Sequence, residues 1–225
     1  MYTLFIANKN YSSWSLRPWL LMAMLNIPFE ENIALFGDDN WNAFRRFSPT
    51  GKVPCLQADH VTIWDSLAIT EFLAESYPQV WPSNIRARAW ARSAAAEMHS
   101  GFGVLRKMCS MNCSIQVQLN EITADLQKDI TRIDELWNEG LQEFGGNFLA
   151  GNEFTAVDAF FAPVVLRIAA YGLKLSDAVM AYCDFIQQLT ALQAWINAGQ
   201  REPRHEAHEE ACLLYGQMTH DVRKM

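Results

Sequence analysis

The 225-residue chain lacks any apolar run near the roughly 20 residues that a bilayer-spanning helix needs; its richest stretches are broken by Arg17, Asp158 and Arg167. It has no basic excess either. Eighteen Lys and Arg against 25 Asp and Glu leave a formal charge of −7, which excludes the footprint of a nucleic-acid-binding surface. Cysteine is sparse and odd in number. The five residues Cys55, Cys109, Cys113, Cys183 and Cys212 do not make a disulfide framework and fit reduced thiols. A basic leader and a small-residue cleavage site are both missing ahead of the first strand-like run, so a cytoplasmic location is expected. Internal repeats, low-complexity tracts and charge blocks are absent too. At 50% hydrophobic and 19% charged residues, the composition also excludes disorder and provides for a sizeable core.

What is there changes character near residue 80. Tyr2–Ala7 (YTLFIA) is a continuous apolar run suited to a central strand. Ser15–Leu25 reads as a helix with Pro18 in its first turn, where a missing N–H costs little. A strand follows at Phe29–Leu35 and a short helix at Trp41–Phe47. Val53–Ala58 and Val61–Trp64 flank the two-residue connection Asp59-His60, a hairpin signal. Ser66–Tyr77 returns to helical spacing. The order is β-α-β-α-β-β-α, a small mixed sheet with helices. Pro78 and Pro82 punctuate the chain, and from Arg86 onward the signals are helical, over roughly 86–110, 115–143, 156–171, 178–184 and 186–198. The expected fold is an α/β domain over residues 1–80, a short linker, and an all-helical domain over 86–225. The tail after Gln200 is polar and reads as a solvated segment. His205 and His208 in that tail, and Cys109 with Cys113, are too thin a set for a metal site, and no metal is expected.

Four local features carry chemistry. Tyr11-Ser12-Ser13-Trp14-Ser15-Leu16-Arg17 lies between a strand and the helix it feeds, where α/β domains place ligands. Helix N-terminal amides favour an anion such as a thiolate, and a serine hydroxyl there can donate to it. The same serines can equally serve as helix caps. In Ser48-Pro49-Thr50-Gly51-Lys52-Val53-Pro54-Cys55-Leu56, a cis Val53-Pro54 bond would turn the N–H and C=O of Val53 outward to pair with an extended peptide. A trans proline in an ordinary turn is the alternative. In Trp64-Asp65-Ser66, Ser66 either caps the next helix or joins that helix's amides in holding a carboxylate, while Asp65 supplies a charge for an ammonium. Thr155-Ala156-Val157-Asp158 is a capping-box variant that starts a buried helix and has no ligand role.

In this order and spacing the four features resemble the glutathione transferase superfamily, and the resemblance covers essentially the whole chain. It implies a thioredoxin-like N-terminal domain followed by the all-helical one, and a homodimer. It also implies glutathione as co-substrate, with no metal or redox cofactor, and a small electrophile as the other partner. Lys52, Val53 and Pro54 resemble the family's cis-proline segment, with Val53 bonding the cysteinyl backbone of glutathione. Asp65 and Ser66 look like its acidic-Ser pair holding the γ-glutamyl head. Ser12 falls where serine-type members carry the thiolate-stabilising hydroxyl, with Ser13 and Tyr11 as alternatives. The zeta class is nearest, but its Ser-Ser-Cys-x-Trp-Arg pattern reads Ser12-Ser13-Trp14-Ser15-Leu16-Arg17 here, with Trp14 in place of the cysteine. The implied reaction is attack of the glutathione thiolate on an electrophile. The electrophile is expected between the Ser12 loop and the first helix of the second domain, against Met98, His99, Phe102, Leu105 and Arg106. A non-catalytic glutathione-binding protein and a glutathione-dependent isomerase are the competing functions.

Overall fold

The computed structural model describes residues 1–224. Tyr2–Ile6 (β1) lies inside a four-stranded sheet, parallel to Phe29–Ile33 (β2) and antiparallel to Cys55–Ala58 (β3). Val61–Ile63 (β4) pairs with β3 and completes the order β2-β1-β3-β4. That interior position explains why the first strand reads as a continuous apolar run, with Leu4 and Ile6 fully buried. Ser13–Met24 (α1) is the crossover from β1 to β2. Asn40–Phe44 (α2) precedes β3, and Ser66–Ser76 (α3) follows β4. The tight connection between β3 and β4 puts Asp59 at φ 51°, a left-handed conformation that a short polar side chain tolerates. The α/β order expected from the sequence is the observed one.

The second unit is built from helices. These are Ile85–Ser100 (α4), Gly103–Met108 (α5), Ala124–Phe144 (α6), Ala156–Tyr171 (α7), Asp177–Gln187 (α8), Thr190–Gln200 (α9) and Glu206–Leu213 (α10). α7 is apolar all round, as a fully surrounded helix must be. Every residue in it except Ala169 is buried, and it packs against both α1 and α4. Asp158 starts this helix by accepting the N–H of Thr155 at 3.0 Å and that of Leu149 at 3.0 Å, with the Tyr182 hydroxyl at 3.1 Å. One apolar core runs through both units.

Three expectations are corrected. The segment expected as a single helix over 86–110 is interrupted at Gly101 and Phe102, where Phe102 takes φ 54° and α5 begins afresh. Residues 115–119 are not the start of a helix. Ile115–Leu119 forms a strand (β5) with Ile115, Val117 and Leu119 buried and both glutamines exposed, and α6 starts only at Ala124. The polar tail is not a free solvated segment. It contains α10 and then Gly216–Asp221 (β6), which pairs antiparallel with β5 to give the helical unit a two-stranded ribbon. Among the described residues no helix is long and apolar enough to cross a membrane.

Candidate functional site

The loop from β1 to α1 is held by the far end of the chain. The backbone N–H groups of Lys9 and Asn10 donate to the two carboxylate oxygens of Glu202 at 2.9 and 3.1 Å. The Trp195 indole donates to the Lys9 carbonyl at 2.8 Å, and Ser114 donates its hydroxyl to Asn10 Oδ1 at 2.8 Å. Ser12 follows directly and occupies the position before α1, yet its side chain caps no amide. Its hydroxyl donates to Ser15 Oγ at 2.7 Å, and Ser15 Oγ also accepts the Ala7 N–H at 3.2 Å. The capping alternative for Ser12 is thus not what the side chain does. Tyr11 donates its hydroxyl to Glu209 and accepts the His205 N–H at 3.2 Å. Burial and the Glu209 carboxylate raise its pKa, so the phenol stays protonated and engaged. Ser13 opens α1 and is buried beside them.

Two adjoining cavities meet at this loop. One, of about 290 Å³, is walled by Tyr11, Ser12, Ser13, Trp14, Phe36, Phe44 and His208 among others. The other, of about 430 Å³, runs past Pro54, Trp64, Asp65 and His99. Trp14, Lys52 and Val53 line both. The Val53-Pro54 bond is cis, the conformation the sequence comparison implied. The main chain of Val53 enters no turn, cap or side-chain hydrogen bond among the described residues. Lys52 is exposed and Pro54 buried.

At the far end of the second cavity, Asp65 and not Ser66 is the residue that caps α3, its Oδ1 accepting the N–H of Leu67 at 2.9 Å. Its other oxygen faces His99 Nε2 at 3.2 Å. Ser66 is 0% exposed, and its hydroxyl is buried with no hydrogen-bond partner. A buried polar atom left unpaired costs about 1–3 kcal/mol; Ser66 lies next to Asp65 but is not itself among the residues that wall the cavity.

Trp14 sits between the cavities within a cationic setting. The Arg17 guanidinium lies over its ring at 4.1 Å, Arg106 lies at 5.5 Å, and His99 meets it edge-on at 5.3 Å. Arg17 is 1% exposed, with Nε and one terminal nitrogen unpartnered. Its burial, together with Arg106 and Arg167 nearby, lowers its pKa, with Asp65 opposing. Arg17, Arg106 and Arg167 thus gather behind Trp14, although none of the three lines either cavity. Burial pushes all five cysteine thiols up, Cys55 to about 11, Cys109, Cys113 and Cys183 to about 12, and Cys212 in the same direction.

The face expected to hold the electrophile is largely closed. Met98, Phe102 and Leu105 belong to the core, and only His99 and Arg106 reach the Trp14 side. The open space beside Ser12 is instead bounded by Phe36, Phe44 and His208. The sequence reading put His208 in a solvated tail and did not single out Glu209, because their placement depends on long-range pairing. Arg223 grips Glu209 with two bonds of 2.8 and 3.0 Å and also Asp221 at 2.9 Å, locking α10 to β6.

The family model for the N-terminal domain of glutathione S-transferase matches residues 11–76, and that for the C-terminal domain matches residues 116–198. The chain belongs to the glutathione S-transferase family. A maleylacetoacetate isomerase of Rattus norvegicus is 28% identical over 174 residues, covering 75% of this chain and 78% of its own. Among solved structures, a Burkholderia glutathione transferase homolog with bound glutathione superimposes with a TM-score of 0.68 at 21% identity, covering 89% of this transferase and 99% of its own chain. An unclassified glutathione S-transferase of Bombyx mori gives 0.72 at 18% identity, over 96% and 99%. These two likenesses establish the shared fold, a thioredoxin-like unit followed by a helical one.

Proposed function

We propose that this transferase holds glutathione along the two joined cavities and directs its sulfur, as thiolate, at a small electrophile. The observation that carries this reading is the line of uncommitted groups. Ser66 offers an unpaired buried hydroxyl for the γ-glutamyl carboxylate, beside the Asp65 charge for its ammonium. Val53 offers a free main chain for the cysteinyl backbone. Ser12 stands at the head of α1 where the sulfur would arrive, and Lys52 lies between the two cavities as a counter-charge.

A free thiol with a pKa of about 8.5 is only a few per cent ionised at neutral pH. When a sulfur docks, the Ser12 hydroxyl can turn to it while Ser15 donates to Ser12 Oγ, with the Ala7 amide feeding Ser15. Such a chain strengthens the last donor, and the α1 amides and nearby guanidinium groups favour the charged sulfur further. Ser13 is the alternative donor. Tyr11 is spoken for by Glu209.

The thioredoxin-like unit, residues 1–80, would supply the glutathione contacts, and the helical unit, residues 86–225, part of the electrophile wall. The protein would work in the cytoplasm as a homodimer and need no metal or other cofactor. Retention on immobilised glutathione and turnover with several electrophiles test the reading. Retention without turnover on any of them favours a non-catalytic binding protein, and no retention overturns it. Sedimentation as a stable monomer at micromolar concentration removes the homodimer.

A glutathione-dependent isomerase acting on an anionic substrate is the second reading. The cluster of Arg17, Arg106 and Arg167 behind Trp14 favours it, as does the name of the rat relative. The presence of Trp14 where the zeta pattern has cysteine counts against it.

A further inference from the structure

The C-terminal helix α10 brings a titratable group into the cavity beside Ser12. His208 lines that cavity together with Ser12 and Ser13. Its ring is clamped between Tyr11, at 5.0 Å and 23°, and Phe36, at 4.5 Å and 27°. Its Nδ1 lies 2.8 Å from His205 Nδ1, so a single hydrogen is shared between those two nitrogens. With that hydrogen on His208, the lone pair of its neutral ring is at Nε2. That nitrogen bonds nothing else among the described residues and is not sealed off from the solvent.

We infer that His208 is a proton-transfer residue of this transferase, taking the thiol proton of glutathione and returning it to the electrophile. The inference rests on the reading that the glutathione sulfur docks at Ser12. With an α,β-unsaturated ketone the step balances as follows. The S–H bond breaks and its proton goes to His208 Nε2. A sulfur lone pair then forms the bond to the β-carbon, and the π electrons move to oxygen as an enolate. The imidazolium finally protonates the α-carbon and is neutral again. Ser12 donates its hydrogen bond to sulfur throughout and does not ionise.

The charged and titratable groups facing His208 leave it this role. On its own helix are His205 and Glu209. Tyr11 faces it from the β1–α1 loop, and Lys52 stands on the opposite cavity wall. Glu209 is occupied by Tyr11 and Arg223, and Tyr11 stays protonated, so neither is a free base. Burial and His205 lower the pKa of His208 against the opposing pull of Glu209, which keeps it neutral and able to accept a proton at physiological pH.

The test uses the full chain with glutathione and benzylideneacetone. General acid–base catalysis contributes about 100-fold or more, so His208→Gln is expected to lose that much kcat and to change the shape of its pH–rate profile, leaving only the limb set by the bound thiol. Glutathione affinity is expected to stay within threefold. His208→Phe keeps the stack between Tyr11 and Phe36 and is expected to lose the same rate, with free imidazole restoring part of it in either variant. In the wild type, the His208 ring resonance is expected to move toward the protonated position with glutathione but not with S-methylglutathione, which has no thiol proton. An unchanged pH profile in both variants, or equal His208 protonation with the two peptides, overturns the inference. Wild-type protein that binds neither peptide overturns the underlying reading as well, and that outcome is distinct from binding without a rate effect.

Discussion

Ser12 and Ser15 share a hydrogen bond of 2.7 Å between their hydroxyl groups, one helical turn apart at the head of α1. Ser12 is therefore linked to the Ala7 amide through Ser15 and leaves the helix amides open to a ligand. Ser12→Ala should raise the pKa of bound glutathione and leave its affinity nearly unaltered. A rise of one to two units, each about 1.4 kcal/mol, lowers the thiolate fraction about ten- to a hundredfold. Raising the pH should recover much of that rate. Because the side chain caps no amide, the loss of stability should be about that of one hydrogen bond, 1 kcal/mol. An unshifted pH–rate profile for Ser12→Ala, with a shifted one for Ser13→Ala, would move the role to Ser13.

Ser66 gives a cleaner separation than its place at the start of α3 suggests. Its hydroxyl is unpartnered in the fold, and Asp65 does the capping. Ser66→Ala removes an unpaired buried hydroxyl and should raise Tm of the free protein, while weakening glutathione binding about tenfold or more, since a hydrogen bond to a charged group is worth roughly 1.5–3 kcal/mol. The pKa of the bound thiol should not move. Calorimetric titration of the folded variant with wild-type affinity would take Ser66 out of the site.

Glu202 couples the helical unit to the loop between β1 and α1. Glu202→Ala leaves the buried N–H groups of Lys9 and Asn10 without their acceptor, at about 1–3 kcal/mol each. Thermal stability and kcat should fall together, because Ser12 is only two residues beyond Asn10. Glu202→Gln keeps one acceptor oxygen and should lie between the two. If thermal melts and steady-state rates show stability lost with kcat intact, the loop does not need this anchor.

The α/β unit was legible because its signals are local. Tyr2–Ala7 is apolar enough for an interior strand and Asp59-His60 makes the hairpin turn, whereas Pro18, expected in the first turn of its helix, is the sixth residue of α1 because the helix already begins at Ser13. The Asp65-Ser66 pair was singled out by its place before a helix and by the family resemblance, but not its division of labour, since which residue caps α3 depends on backbone angles. β5 carried a readable signal, the alternation of Ile115, Val117 and Leu119 with Gln116 and Gln118. Taken with the amphipathic helix beyond it, that signal merged into one long helix. β6 had none. Gly216–Asp221 is polar and becomes a strand by pairing with residues about a hundred positions earlier. His208 depends on that pairing, because Arg223 ties α10 to β6 through Glu209 and Asp221. The cavity wall it forms was invisible for the same reason.

The seat of α10 should loosen in mild acid. The folded pKa of His208 lies below its ordinary value of about 6.5, from burial and the neighbouring His205 against the pull of Glu209. A proton therefore binds more tightly when the helix is released. The stability this group contributes is complete above about pH 6.5 and is lost as the pH falls from there through the folded pKa. Glu209 and Asp221 add nothing in this window. Burial pushes both carboxyls up, but Arg223 more than offsets it and holds them below their ordinary values, so they stay charged until stronger acid. Amide hydrogen exchange over Glu206–Leu213 should be faster, after correction for intrinsic rates, at about pH 5.5 than at about pH 7.5, with the α4 core unaffected. His208→Phe keeps the aromatic stack without the titration and should flatten the difference. Equal protection of α10 at both pH values in the wild type would show that the helix is seated by the Arg223 bonds alone.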